Sequence, residues 1–273
     1  MTTIDGTTLD GVSATTLWTL HNRGTEAKRS DGVIRDPWAV TLLDTIDYDY
    51  LKFGKPNQSH ALRAVAFDRV AGQYLTTHPK ASVVALAEGL QTSFWRLDRT
   101  GALAETTWYS IDLPPVMELR GQLLPSDDRI VALAQSALDR SWMDRVDATN
   151  GVFVTAEGLL MYLEPTDALG LIADCAARFP GGRMMFDSIP RWFSQRTLKG
   201  FKLSPRYLAP AMPFGQSADE ALAIAGTIPG VRRARDVALP AGRGLWKVAA
   251  APAVDRIGPV RRGRPSITLL EFA

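Results

Sequence analysis

The sequence predicts an α/β fold in which a mostly parallel sheet carries crossover helices, a reversed strand ends the sheet, and a helical segment covers its start. Three observations predict it. From residue 81 onward, short runs rich in β-branched and aromatic residues alternate with helical patterns, as βα units require. Residues 1–80 lack that alternation and read as helices. Finally, the strand-like runs 231–237 and 245–251 are joined through Leu239, Pro240, Ala241, Gly242, Arg243 and Gly244, a connection that suits a hairpin and is too short for a crossover helix.

Each element has a local reason. Asp36 and Pro37 supply a cap and a first-turn proline for one helix, and Ser59 precedes a second with Leu62, Ala66, Val70 and Tyr74 on related faces, stopped by His78 and Pro79. The first strand, Ser82–Leu86, ends in the turn Ala87-Glu88-Gly89. The second, 107–111, runs into Asp112, after which Pro114 and Pro115 open a helix carrying Val116, Leu119 and Leu123 on one side. The third and fourth strands are 130–133 and 152–155. The fourth leads through Ala156-Glu157-Gly158 to a helix from Pro165, with Leu169, Ile172, Ala176 and Phe179 as its stripe and Gly181-Gly182 as its stop. After the fifth strand, 183–187, residues 189–216 are irregular, aromatic and proline-bearing, as an insertion over a pocket would be. Ser217 and Glu220 predict a capping box for the next helix. The expected organisation is therefore an N-terminal cover (1–80) integral to one domain, a Rossmann-like core (81–252) with a lid at about 189–216, and a C-terminal tail (253–273). Such αβ units closed by a reversed last strand are the arrangement of class I methyltransferases rather than of dehydrogenases.

Composition narrows the partners. A single α/β core can take up about 250 residues before it splits, so one domain is expected. Hydrophobic residues make up 46% of the chain and charged residues 22%, a balance that supports a sizeable core. The formal net charge is +2 and the basic residues are dispersed, which argues against a nucleic-acid partner and for a small molecule. Cys175 is the only cysteine, and His21, His60 and His78 are the only histidines, so neither a disulfide framework nor a Cys/His metal site can be assembled. The start of the chain lacks a secretory pattern, and no apolar run reaches the ~20 residues of a membrane span. A soluble, cytoplasmic protein is expected.

A nucleotide-type ligand on such a sheet sits beyond the carboxyl ends of the strands, beside the first one. Gly89 after the first strand would let backbone approach a ligand, though a bare tight turn explains it as well. Asp112 can accept hydrogen bonds from both hydroxyls of a ribose, or cap the helix from Pro114, or do both. Ser136, Ala137, Leu138 and Asp139 follow the third strand, where an adenine could lie or an ordinary helix could begin. Glu157, set among Val154, Leu159, Leu160 and Met161, is a carboxylate that burial would make costly without a cationic partner.

These segments occur in order: Val84-Ala85-Leu86-Ala87-Glu88-Gly89-Leu90-Gln91-Thr92, Asp112-Leu113-Pro114, Ser136-Ala137-Leu138-Asp139, and Glu157-Gly158-Leu159-Leu160-Met161-Tyr162-Leu163. Together with Asn22-Arg23, Arg35-Asp36-Pro37 and Arg63, they resemble the leucine carboxyl methyltransferase superfamily from about residue 15 to 251, and within it the bacterial branch of polyketide O-methyltransferases. The resemblance implies S-adenosylmethionine as cofactor and S-adenosylhomocysteine as product. It implies that Arg63 pairs with the cofactor carboxylate, that Gly89 lets the methionine part pass, that Asp112 binds ribose, that Leu138 contacts adenine and that Glu157 faces the amino group. Ala87, Glu88, Leu113, Ala137 and Gly158 would complete the cofactor contacts. Two departures stand out: Ala87 occupies a position where many relatives have glycine, and Ala137 one where carboxyl methyltransferases often have aspartate.

A sulfonium already activates its methyl group, so the enzyme mainly has to align an oxygen nucleophile about 3 Å from that carbon. No metal is required. A carboxylate is ionised at neutral pH, whereas a phenol near pKa ~10 would gain from a base or a cation. His21 and His60 are the candidate bases because they belong to the covering helices, while His78 ends one. Arg23, Arg35 or Lys28 could supply a cation, or be solvated or ion-paired. Trp18, Tyr162, Trp192, Phe193, Phe201 and Phe214 could line an aromatic acceptor pocket, and each alone could equally be core. Asp44, Asp47 and Asp49 lack the glycine and distal glutamate of a calcium loop and read as a polar edge. The basic tail, with Leu269 and Leu270, could dock or contribute to a homodimer. The expected function is an O-methyltransferase of secondary metabolism acting on a carboxyl or phenolic oxygen of an aromatic or polyketide-like molecule. The alternatives are an inactive methyltransferase-fold binding protein, a protein carboxyl methyltransferase and a nicotinamide-dependent oxidoreductase.

Overall fold

The computed structural model describes residues 3–244, 246–247 and 258–273. Three helices build the N-terminal layer: α1 (Thr15–Ala27), α2 (Pro37–Thr45) and α3 (Ser59–Thr77). Asp36 caps α2 by accepting from the Ala39 amide at 2.9 Å, with Pro37 in the first turn. Leu62, Ala66, Val70 and Tyr74 form the buried stripe of α3, as their spacing requires. Two short strands, β1 (Ile4–Asp5) and β2 (Ile46–Asp47), pair beside this layer.

The main sheet has seven strands. In chain order they are β3 (Ser82–Leu86), β4 (Thr107–Asp112), β5 (Ile130–Ala134), β6 (Val152–Ala156), β7 (Arg183–Ser188), β10 (Val231–Asp236) and β11 (Ser266–Phe272), and in space they run β10-β11-β7-β6-β3-β4-β5. The spatial order reverses around β3, which pairs in parallel with β4 on one side and β6 on the other. Every residue of β3 is buried because both faces are covered. Val83 and Ala85 pack toward Phe67, Val70 and Tyr74 of α3, while Val84 and Leu86 join the opposite core. That opposite core is faced by α6 (Pro165–Arg178) through Ala168, Leu171, Ile172, Cys175 and Ala176. The expected stripe of α6 holds at Ile172, Ala176 and Phe179, but Leu169 is 38% exposed.

The end of the sheet differs from the expected hairpin. The reversed strand is β11, antiparallel to β7 and to β10 at once, so that β10 again runs with the parallel strands. Leu245 and 248–251 of the expected strand lie outside the described residues, as do 253–257, and Trp246 and Lys247 are helical. The stretch 253–273 is therefore not simply a tail: it contains the short helix α9 (Gly258–Gly263) and a core strand. Leu269 and Leu270 are fully buried on its two faces. The reversed strand thus comes from the segment read as a tail, and most of the run expected to supply it lies outside the described residues.

Two further helices, α4 (Ser93–Asp98) and α5 (Pro114–Leu123), follow β3 and β4. The segment after β7 is more regular than its composition suggests, holding helix α7 (Arg191–Leu198) and the hairpin β8 (Lys202–Ser204) with β9 (Tyr207–Leu208). That hairpin leans on the N-terminal layer: Tyr207 meets Phe53 edge-on at 4.7 Å and Ser204 Oγ donates to the Lys52 carbonyl. Ser217 and Glu220 form the expected capping box of α8 (Ala218–Thr227). Among the described residues, no helix is long and apolar enough to cross a membrane.

Candidate active site

A cavity of about 550 Å³ opens beyond the carboxyl ends of β3, β4 and β6, within the size range of small-molecule sites. The turn after β3 shapes its floor. Gly89 has φ +59°, and a Cβ there would lie 2.4 Å from Thr16 Oγ1, so only glycine fits without displacing the Thr16 side chain. Thr16 Oγ1 is held in place by the Leu90 amide, which donates to it at 2.6 Å. Ala87 also takes positive φ, +49°, a conformation that glycine adopts more easily than a residue with a Cβ.

Asp112 ends β4 and accepts from the Gly89 amide at 2.6 Å and from the Leu113 amide at 2.7 Å. Each carboxylate oxygen thus uses one lone pair to brace a turn and keeps another for a ligand. Burial raises the Asp112 pKa, opposed by those two amides. Glu88, by contrast, turns inward: Trp108 Nε1 donates to it at 3.1 Å, Ser110 Oγ donates to it, and Arg120 Nη2 lies 2.8 Å away. Its backbone borders the cavity while its carboxylate anchors the turn, and burial raises its pKa against the pull of Arg120. Arg120 completes that brace, donating to the Gly89 and Gln91 carbonyls at 2.6 and 2.8 Å.

On the other side of β3 sits an ion cluster. Arg63 Nε lies 3.0 Å from Glu157 Oε1, and its Nη1 lies 2.8 Å from Asp187 Oδ2. Gln91 Nε2 donates to Glu157 at 2.6 Å, and the Gly158 amide donates to Asp187 at 2.6 Å. A Cβ on Gly158, whose φ is +71°, would press on the Arg63 guanidinium at 3.3 Å. Two carboxylates against one arginine leave the cluster with surplus negative charge, which suits a cationic ligand group. Burial raises the Glu157 pKa, countered chiefly by Arg63. The carboxylates outweigh burial for Arg63, whose pKa is raised.

The groove fits S-adenosylmethionine. Asp112 has free acceptor capacity for ribose hydroxyls, Glu157 and Asp187 are carboxylates on the cavity wall that an ammonium could meet, and Leu113 and Leu138, 43% and 37% exposed, offer apolar surface for a purine. Ala137 borders the same end. Arg63 differs from its expected role in one respect: its guanidinium already serves Glu157 and Asp187, so a cofactor carboxylate would share it.

The rest of the cavity wall includes some of the sequence candidates and leaves others out. Trp18, His60, Tyr162 and Phe193 border the cavity, joined by Met161, Met212 and Trp246, which sequence reading did not single out. His21 does not: it stacks on Tyr50 at 5.5 Å, with Nε2 buried and unpartnered, because the face of α1 that carries it turns toward the segment 48–54. Arg23 is 1% exposed and structural, pairing with Asp36 at 3.0 Å and donating to the Leu90 carbonyl at 2.5 Å. Trp192 is 54% exposed and donates through Nε1 to the Gly263 carbonyl at 2.9 Å, outside the cavity. Phe214 is core, 8% exposed and part of the cluster on the α6 side of the sheet. Phe201 stands behind Phe193, their rings 5.3 Å apart. Sequence reading also missed Thr16, Gln91 and Arg120; an arginine beside Leu119 on the apolar side of α5 was the available signal for the last. Among the described residues, no group of acids, histidines and cysteine could hold a metal ion.

Comparison with known proteins agrees with this geometry. The leucine carboxyl methyltransferase family model matches residues 16–176. The tetracenomycin polyketide synthesis O-methyltransferase TcmP of Streptomyces glaucescens is 30% identical over 97% of this chain and 95% of its own length. A candidate S-adenosyl-L-methionine-dependent methyltransferase of Mycobacteroides abscessus is 31% identical over 60% of this chain and 62% of its own. Among solved structures, a candidate methyltransferase from Thermobifida fusca superimposes with a TM-score of 0.55 at 15% identity, covering 79% of this chain and 82% of that one, a likeness of fold. The order of strands, the acidic and glycine-lined groove and these matches agree: the chain belongs to the leucine carboxyl methyltransferase family, and it is an S-adenosylmethionine-dependent methyltransferase.

Proposed function

We propose that the protein methylates a carboxyl or phenolic oxygen of a small aromatic or polyketide-like molecule, releasing S-adenosylhomocysteine. The observation that carries the proposal is the continuity of one cavity, acidic and glycine-lined at the β3–β4 turn and walled by Trp18, Met161, Tyr162 and Phe193 beyond it. A flat apolar acceptor matches those walls. The likeness to an O-methyltransferase of tetracenomycin synthesis supports the same acceptor class.

In this reading Asp112 holds the ribose, Glu157 and Asp187 hold the amino group, Arg63 shares its guanidinium with the cofactor carboxylate, and Leu113, Ala137 and Leu138 receive the adenine. The bound cofactor supplies an electrophilic methyl group. The protein's part is alignment: the N-terminal layer and the segment 189–216 enclose the acceptor and exclude water, and the aromatic walls fix the plane of its ring. The reading also carries a cytoplasmic protein that works without nucleic acid or membrane, as a monomer or a homodimer.

Incubation with S-adenosylmethionine and a panel of aromatic acids, phenols and hydroxyquinones tests it. S-adenosylhomocysteine should form with members of the panel, and alkaline lability of the product separates an ester from an ether. Cofactor binding with turnover confined to a peptide carboxyl terminus would reject the acceptor class.

A further inference from the structure

The two nitrogens of one ring in the acceptor chamber face different surroundings. His60 lies three residues before Arg63 on α3, so the two side chains share a helix face. Trp18 closes edge-on against the imidazole, with ring centroids 5.0 Å apart. Nδ1 of His60 is sealed from solvent and has no hydrogen-bond partner among the described residues. Nε2 is not sealed and makes no hydrogen bond among the described residues, and the ring borders the cavity.

A neutral imidazole carries one ring proton. Placed on Nδ1, it would be a buried donor with no acceptor, which costs about 1–3 kcal/mol. Placed on Nε2, it meets the cavity, where water or a ligand oxygen accepts it, and only an unused lone pair stays buried. Buried orphan N–H groups are rarer than buried orphan acceptors for this reason. The imidazolium is worse, since it needs a proton on the sealed nitrogen and meets the guanidinium groups of Arg63 and Arg23 ahead of the carboxylates they pair with, Glu157 and Asp187 for the first and Asp36 for the second. Burial and those arginines hold the His60 pKa well below the usual range.

We propose that His60 is fixed as the Nε2–H tautomer and donates a hydrogen bond to the acceptor molecule, so that the enzyme takes an oxygen nucleophile that is already ionised. The chemical class is a carboxylate, or a phenol acidified by conjugation with a carbonyl. His60 is then a specificity-determining donor and not the general base that its place in the sequence suggested. This rests on the methyl-transfer reading above. A lone pair of the ionised oxygen forms the new O–C bond while the C–S bond breaks and its electron pair returns to sulfur. No proton is left for a base to remove.

The chain has three histidines, so nitrogen-labelled histidine gives a resolvable two-bond proton–nitrogen spectrum of each ring. With S-adenosylhomocysteine bound, the signals lost in His60→Gln should show an Nε2–H ring that does not titrate from mildly acidic to alkaline pH. An Nδ1–H ring, or titration near neutrality, overturns the proposal. For two acceptors of different acidity that turn over, the midpoint of the pH profile of kcat/KM should follow the acceptor. A midpoint that stays fixed points to a base on the enzyme and overturns the proposal too. His60→Leu should lower kcat/KM by roughly 10–100-fold and His60→Gln, which keeps an N–H donor, by much less. Calorimetric titration with S-adenosylhomocysteine separates the two layers: no binding rejects the proposal and the reading beneath it, and binding with the wrong tautomer rejects the proposal alone.

Discussion

Replacing Asp112 with alanine should separate ligand binding from stability. The carboxylate braces the Gly89 and Leu113 amides and still has lone pairs for two ribose hydroxyls. Hydrogen bonds to a charged group contribute about 1.5–3 kcal/mol each, and two that share one carboxylate do not add, so a loss of about 3 kcal/mol is expected, or roughly 150-fold in affinity. Stability of the ligand-free protein should respond differently. Burial raises the Asp112 pKa against the pull of its two amides. A carboxyl whose folded pKa is raised contributes its stability below the unfolded pKa and loses it as pH rises through the folded value. At neutral pH the alanine variant therefore sheds a desolvation cost that offsets the two amide bonds. Its Tm should stay within about 4 °C of the parent, equivalent to about 1 kcal/mol for a domain of this size. Titration calorimetry with S-adenosylmethionine and thermal scanning of the ligand-free protein measure the two quantities. An affinity within about fivefold of the parent, under ~1 kcal/mol, would refute the assignment of Asp112 to the ribose.

Gly89→Ala should lower Tm by roughly 5–15 °C, because the left-handed turn costs about 1–2 kcal/mol and displacing Thr16 strands the Leu90 amide; an unchanged Tm would show that the turn is not rigid. Burial raises the Glu157 pKa, so ligand-free stability from this group is lost as pH rises through its folded value, while affinity for the cofactor's ammonium grows over the same interval. The increment in Tm on adding S-adenosylmethionine should accordingly widen from mildly acidic to neutral pH, and a constant increment would exclude Glu157 as the ammonium's partner. Phe193→Ala should raise the acceptor KM roughly tenfold, ~1.4 kcal/mol of lost contact, with cofactor affinity unchanged. Trp192→Ala, on the exposed side of α7, should change neither quantity in the same assays.

The part of the cavity at the strand ends was legible in the sequence because its residues are pinned there. Gly89, Asp112 and Glu157 each follow a short apolar run, and the alternation of β and α units fixes which end of the sheet they occupy. The rest of the cavity was less legible. Its walls come from α1, α3, the turn at Met161 and Tyr162, and α7, and no local pattern says which face of a covering helix looks inward. His21 and His60 carry the same chemistry on neighbouring helices, yet one stacks on Tyr50 and the other meets Trp18 edge-on at the cavity. Arg23 looked available for an acidic substrate, but a buried guanidinium needs a partner, and Asp36 supplies it. The last strand was misplaced because hairpin length argues only about neighbours in sequence. Ser266–Phe272 is as strand-like as 245–251, and what selects it is burial on both faces between β7 and β10, a tertiary fact.

β11 is threaded between two strands that precede it in the chain, and its first residues, Ser266 and Ile267, also border the cavity. Parting β11 from β7 thus uncouples β10, bares a row of peptide groups and removes a wall of the binding chamber in a single event. A ligand in contact with Ile267 must therefore favour the closed sheet by mass action. Deuterium uptake at those amides of the run Met184, Met185 and Phe186 that point toward β11, the alternate ones facing β6, becomes a reporter of occupancy at a distance from the ligand.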